Sequence, residues 1–290
     1  MNKLKAKILS VVEKLALRLN KNSEWVLRQI RIYQYFEEFE EREDDVYVIT
    51  YLKAGTTWVQ MILYQMLFKA GDNFEHIYDV SPWPSNEAYL GESAKKANGL
   101  PSPRILKTHN PYDHFNKNVK GRFIYVYRDG MDLAASVYHH EKNYLDPNQT
   151  FEESFKKHFQ NESENWFLFN RDWMQNQNGF AILYISYEQL KNEFEATIKK
   201  IAAFLRVEVT PEEMVLIKHF SGFSYMKTIE HKFGEKPTKE SQLVFNQFIR
   251  KGETGTGKEY LSEEQKQFYI ANHEHIIGKL FREKIQKWIF

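Results

Sequence analysis

The run Lys53-Ala-Gly-Thr-Thr57 gathers the donor types that a phosphate or sulfate group needs. Gly55 lets the backbone approach an anion closely, and amides exposed at a helix start would converge on it. Thr56 and Thr57 add hydroxyls, Lys53 adds a mobile point charge, and Trp58 offers a flat face for a purine. The competing reading is an ordinary capped turn with Trp58 in the core. Farther on, Lys107-Thr-His109 puts a cation two positions before an imidazole. Imidazole is the side chain best matched to removing a proton at neutral pH. The chain holds 10 histidines, so the case for His109 as base rests on Lys107 and on its place at a strand end. In Arg128-Asp-Gly130, the guanidinium can fork onto phosphate oxygens, and Ser136 adds a hydroxyl. Alternatively, Arg128 pairs with Asp129 or Asp132. The chemistry these groups suggest is transfer from a phosphorylated or sulfated donor, with a base for the acceptor.

Two other patterns carry less. His139 and His140 are adjacent, so they point apart on a helix, and no Asp, Glu or His stands at ligand spacing; no bound metal is expected. Gly252 to Lys258 has the spacing of a Walker A loop, but Glu259 stands where Ser or Thr must reach magnesium. With Arg250, Lys251 and Lys258 around it, the stretch reads as an anion-binding flap or a solvated surface loop.

Composition limits the classes. The chain has 290 residues, 42% hydrophobic and 16% aromatic, enough for a sizeable core. The absence of cysteine excludes disulfides, thiolate nucleophiles and Cys-ligated zinc. With 40 basic and 39 acidic side chains, a broad nucleic-acid surface is not expected. Ile8, Leu9, Val11, Val12, Leu15 and Leu19 form a helical stripe, but charges interrupt it, so neither a signal peptide nor a transmembrane segment fits.

The elements that must position these residues follow from periodicity. Val46–Thr50, Arg104–Lys107, Phe123–Tyr127 and Ala181–Ile185 read as buried strands, with a helix running from the first loop to a stop near Gly71. Thr150 with Glu153, Thr210 with Glu213 and Ser262 with Gln265 fit capping boxes. Short strands alternating with helices predict an α/β fold, a central mostly parallel sheet flanked by helices. Residues 1–43 are expected to be a helical extension packing on a single globular unit, 44–290.

Tyr51-Leu-Lys-Ala-Gly-Thr-Thr-Trp58, Lys107-Thr-His109, Tyr125 through Ser136, and Phe248-Ile-Arg-Lys-Gly252 with Gly255 occur in the order found in the cytosolic sulfotransferases that use 3'-phosphoadenosine-5'-phosphosulfate (PAPS), which the chain resembles. The resemblance implies a P-loop-like sulfotransferase fold, release of PAP, a small-molecule acceptor hydroxyl or amine, and a cytoplasmic location. Residue by residue, it implies that Lys53, Gly55, Thr56 and Thr57 surround the 5'-phosphosulfate, with Trp58 and Tyr187 at adenine. Arg128, Ser136, Arg250, Lys251 and Gly252 would hold the 3'-phosphate, and Ser221 and Phe223 would add nucleotide contacts. His109 would be the base, with Lys53 and Lys107 stabilising charge. Leu52, Ala54, Asn110 and Gly257 depart from the family pattern. Oligomeric state is left open. A magnesium-dependent kinase and a catalytically weak PAP-binding protein are the other readings. Tyr78, Trp83, Tyr89, Tyr138 and Tyr144 are candidate walls for the acceptor.

Overall fold

The structure, a computed structural model, describes residues 23–234, 248–250 and 252–286. Lys251 and the stripe from Ile8 to Leu19 lie outside the described residues. The elements that position the site are α1 (Ser23–Glu38), β1 (Val46–Thr50), α2 (Thr56–Phe68), α3 (Pro84–Leu90), β2 (Ile105–Thr108), β3 (Arg122–Tyr127), α4 (Gly130–Tyr144), α5 (Trp166–Gln175), β4 (Ile182–Ser186), α6 (Tyr187–Asn192), α7 (Phe194–Leu205), α8 (Pro211–Phe220) and α9 (Glu263–Asn272). Shorter helical turns join them.

The strands are short runs of β-branched and aromatic residues, and they form a parallel sheet in the order β2-β1-β3-β4. Side chains alternate across it. Val46, Val48, Ile105, Ile124, Val126 and Ile185 pack with aliphatic residues of α2, α7 and α8. The opposite face presents Tyr47, Phe123, Tyr125 and Tyr127 to Trp166, Phe167 and Trp173 of α5 and to Tyr269 of α9. Burial on both faces explains the nearly unbroken apolar strands. β1 has the expected bounds, β3 begins one residue earlier than expected, and β2 and β4 are each shifted one residue toward the C-terminus. All three expected capping boxes form. The first-loop helix stops at Phe68 rather than near Gly71, because Lys69 turns left-handed and bonds back to the Gln65 carbonyl.

Chain order fixes where a ligand can enter. From β1 the chain moves outward to β2, and from β3 it moves outward to β4 in the other direction. The crevice between neighbouring β1 and β3, at their carboxyl ends, is therefore the topological switch point. At the opposite end of the sheet, Arg104 is locked by a bidentate pair, Nε and Nη2 each 2.7 Å from an Asp45 carboxylate oxygen, with both side chains fully buried. Arg104→Ala would leave Asp45 charged and buried, so unfolding free energy should fall by about 3–5 kcal/mol, read by urea denaturation.

Candidate active site

The two loops leaving the switch point are tied together. Arg128, just past β3, donates Nη1–H to the carbonyl of Lys53, just past β1, at 2.8 Å. Lys53 is left-handed, with φ of 62°, and Gly55 follows at 98°. At Gly55 a Cβ would come within 2.8 Å of the Tyr187 ring, so only glycine lets the loop pass that close. Tyr187 opens α6, takes the Arg128 guanidinium over its ring at 4.6 Å, and meets Trp58 edge-on at 5.2 Å. Among the described residues, the buried Trp58 Nε1 and Arg128 Nε donors have no hydrogen-bond partner.

Lys53 Nζ lies 4.1 Å from the centre of the Phe248 ring. Burial, together with Arg128 and Arg250, pushes its ammonium down to about 7. Among the described residues, Lys53, Arg128 and Arg250 make no ion pair. The carboxylates that could have paired with Arg128 are committed to backbone: Asp129 caps the amides of Met131 and Asp132, and Asp132 accepts from Gly255 and Gly257. Converging cations that make no ion pair among the described residues, and a buried guanidinium N–H with no acceptor among them, fit a polyanionic ligand.

On the other side of β1, Ile49 pairs with Thr108, which sets His109 beside Thr50. His109 Nδ1 lies 2.8 Å from the Thr50 carbonyl oxygen. A carbonyl only accepts, so Nδ1 carries the proton and the lone pair is on Nε2. The Thr50 hydroxyl is 3.1 Å from the same nitrogen and 2.6 Å from the Thr56 hydroxyl. Trp83 separates the two groups of the motif: His109 meets its ring edge-on at 5.1 Å, and Lys107 Nζ sits 3.9 Å from its centre while donating to Tyr78 Oη at 2.7 Å. Burial, with Lys107, Lys53 and His140 nearby, holds the His109 imidazole down at about 3, against the opposing effect of the Thr50 bond. His140 is also held near 3, by burial and by Lys53 and Lys107.

Of the sequence-selected residues, Lys53, Gly55, Trp58, Arg128, Tyr187, Arg250 and Gly252 surround the β1–β3 crevice, and Lys107 and His109 stand at its β2 side. Thr56 turns inward to Thr50, and Thr57 is half-buried at the start of α2. Ser136 is half-buried on α4 with no hydrogen-bond partner among the described residues. Ser221 is fully buried and donates to the Ile217 carbonyl at 2.6 Å, the bond of a helix end. Phe223 is exposed and lies against Gly252, where a Cβ would approach its ring to 2.7 Å. Tyr78 and Trp83 belong to the site and the Tyr144 ring lies tilted against His140 at 5.2 Å, whereas Tyr89 sits under Arg28 of α1 and Tyr138 packs on Phe151. Sequence reasoning passed over Thr50, whose part is a backbone carbonyl, and Phe248, which appeared only as motif context. Phe248–Arg250, the described residues just before the Walker-like stretch, form no strand, and two of its amides are occupied by Asp132.

The fixed tautomer is directly observable. In nitrogen-15 NMR, His109 should keep Nδ1 protonated and Nε2 bare from about pH 5 to 8, since its pKa is displaced far below that window. A midpoint near the ordinary histidine value would contradict the site geometry.

The family model for the sulfotransferase domain matches residues 43–283. The Amine sulfotransferase of Oryctolagus cuniculus is 32% identical over 256 residues, covering 84% of each chain. Sulfotransferase 2A1 of Homo sapiens is 32% identical over 271 residues, covering 89% of this chain and 88% of its own. Among solved structures, a mouse sulfotransferase complexed with PAP superposes with a TM-score of 0.66 at 22% identity, over 85% of this chain and 89% of the other. Retinol dehydratase in complex with androsterone and inactive cofactor PAP gives 0.63 at 20% identity, over 84% and 85%. No helix among the described residues is long and apolar enough to cross a membrane.

Proposed function

Because the chain belongs to the sulfotransferase family and is a PAPS-dependent sulfuryl-transfer enzyme, we propose that it sulfates a hydroxyl or amine of a small molecule, with His109 as the base. The observation that carries this is the Nε2 lone pair of His109, fixed by the Thr50 carbonyl and flanked through Trp83 by Lys107. PAPS supplies the sulfuryl group and a leaving phosphate. Lys53, Gly55, Thr56 and Thr57 would hold its 5' end, Trp58 and Tyr187 its adenine, and Arg128 with Ser136, Arg250, Lys251 and Gly252 its 3'-phosphate. His109 takes the acceptor proton as the acceptor attacks in line with the departing oxygen; Lys53 meets charge growing on that oxygen, and Lys107 faces the sulfuryl oxygens.

An imidazole held at about 3 is in its base form but is a weak base. Lys107 and Lys53 are among the causes, and an anionic donor placed on them compensates their charge. Donor binding therefore raises the basicity of His109, so the base becomes effective in the complex where it is used. Tyr78, Trp83 and Tyr144 supply apolar walls beside it, which supports a small aromatic or apolar acceptor. The assigned charge compensation comes from lysine, arginine and backbone amides, so the proposal includes no metal. A cytoplasmic location rests on the likeness to cytosolic family members.

The deciding assay supplies PAPS with a panel of phenols, alcohols, steroids and amines, magnesium omitted, and reads by mass a product heavier by one sulfuryl group together with PAP. A chain that binds PAP but sulfates nothing would instead be a nucleotide-binding protein without turnover. His109→Ala should retain PAP binding while turnover falls by a factor of about a hundred to ten thousand. Substantial remaining activity at neutral pH would remove His109 from the role of base.

Lys53 gives a second test. Its ammonium is held near 7 in the free protein, and phosphate charge beside it favours the protonated form. Between those two values PAP binding takes up a proton, so affinity falls as pH rises above about 7. Calorimetry at about pH 8, in buffers of different ionisation enthalpy, should record uptake approaching about one proton per site, and Lys53→Met should abolish it.

A further inference from the structure

The loop that carries Arg250 and Gly252 is anchored to α4 by one buried carboxylate. Asp132 lies in the first turn of that helix and is 5% exposed. Its Oδ2 accepts the Gly255 amide at 2.7 Å and its Oδ1 accepts the Gly257 amide at 2.7 Å. The fit has no spare room: a Cβ on Gly257 would stand 2.2 Å from the Met131 carbonyl oxygen and 2.4 Å from the Asp132 backbone nitrogen. Gly255 adopts a φ of 81°, which turns its amide toward the carboxylate. Alternating amides around an anion form the kind of concavity that elsewhere binds phosphate, and here an internal carboxylate fills it.

The loop is held at its beginning too. Lys227 Nζ donates to the Ile249 carbonyl at 2.7 Å, and the Ile249 amide donates to Glu230 at 3.2 Å. Between the two anchors Lys191 donates to the Gly252 carbonyl at 2.6 Å, and the Glu253 carbonyl lies 3.5 Å from Arg128 Nη2. The anchored span thus runs beside the guanidinium assigned to the 3'-phosphate. Asp132 itself faces the loop backbone and makes no bond to Arg128 among the described residues.

We propose that Asp132 is a positioning residue for nucleotide selection: by clamping the Gly255 and Gly257 amides it fixes the loop so that Arg250 and Arg128 face the same 3'-phosphate. The inference rests on the 3'-phosphate reading given above. A purely electrostatic expectation runs the other way, since a carboxylate this near a phosphate site should weaken binding. The two directions are therefore distinguishable by mutation.

Asp132→Asn keeps the shape, but its NH2 faces an amide N–H where an oxygen accepted one. Calorimetric affinities for PAP and for adenosine 5'-phosphate, which lacks the 3'-phosphate, are compared in wild type, Asp132→Asn, Gly257→Ala and Arg128→Ala. Losing one charge-assisted bond to the loop should weaken PAP by at least about tenfold while adenosine 5'-phosphate binds as before. KM for PAPS should rise with kcat nearly unchanged, and Gly257→Ala, which lifts the loop from the same helix turn, should do likewise. Unchanged or tighter PAP binding in Asp132→Asn, with the preference for PAP lost in Arg128→Ala, overturns the inference and leaves the 3'-phosphate reading standing. If Arg128→Ala keeps the preference, that reading fails and the inference with it. Equal weakening of both nucleotides in Asp132→Asn and Gly257→Ala would show general disturbance of the site and also overturn the inference.

Discussion

β1 ends in a position where its backbone must serve both neighbours. In a parallel sheet the terminal carbonyls at the carboxyl edge have no further ladder partner, and each needs a hydrogen-bond donor from elsewhere. Thr50 receives its donor from His109 on the β2 side, and Lys53 receives one from Arg128 on the β3 side. The first bond chooses the tautomer of the proposed base. The second holds the guanidinium that ends β3 against the loop that follows β1. Moving β1 by one residue would turn its side chains to the opposite faces and withdraw both carbonyls, so the register of a buried sheet and the geometry of the site are one constraint.

That constraint gathers like charges. Lys53, Arg128, Arg250 and Lys107 lie around one crevice; burial first, and the neighbouring cations after it, depress the Lys53 ammonium and hold the His109 and His140 imidazoles near 3. Nearby acids do not neutralise these charges. Asp129 spends its oxygens on the start of α4 and the Tyr269 hydroxyl, Glu188 accepts from the Asp129 amide, and burial raises the pKa of both. Lys53, Arg128 and Arg250, which make no ion pair among the described residues, are preorganised for an anion, because no such pair must break before it binds.

Much of this was legible in the sequence, for identifiable reasons. The strands are fully buried and rich in β-branched and aromatic residues, so even short runs stand out; capping boxes are readable because both partners are side chains at fixed spacing. The same holds for Lys53, Lys107, His109 and Arg128, whose roles need particular side chains at strand ends. Thr50 was not legible, since any residue has a carbonyl. The relation of Arg128 to its neighbours was not legible either: Asp129 and Asp132 look like ion-pair partners one and four positions away, and only the fold shows that Asp129 serves amides of the helix start and Asp132 those of a distant loop. Ser221 could be read either way from sequence, as a nucleotide contact or as a helix end, and its hydroxyl donates to the Ile217 carbonyl of its own helix.

The two glycine-containing loops of the site answer the same physical need in different ways. Around Gly55 the amides begin a helix with no side-chain cap, and Tyr187 closes the space that a side chain would occupy. Around Gly255 and Gly257 the amides are already satisfied by Asp132. The second loop resembles a phosphate-binding loop in spacing because it solves the same packing problem, converging N–H groups on an anion, but its anion belongs to the chain. A spacing rule in glycines therefore reports that an anion is bound. Whether that anion is a substrate or a carboxylate of the fold is decided by what the next helix turn presents.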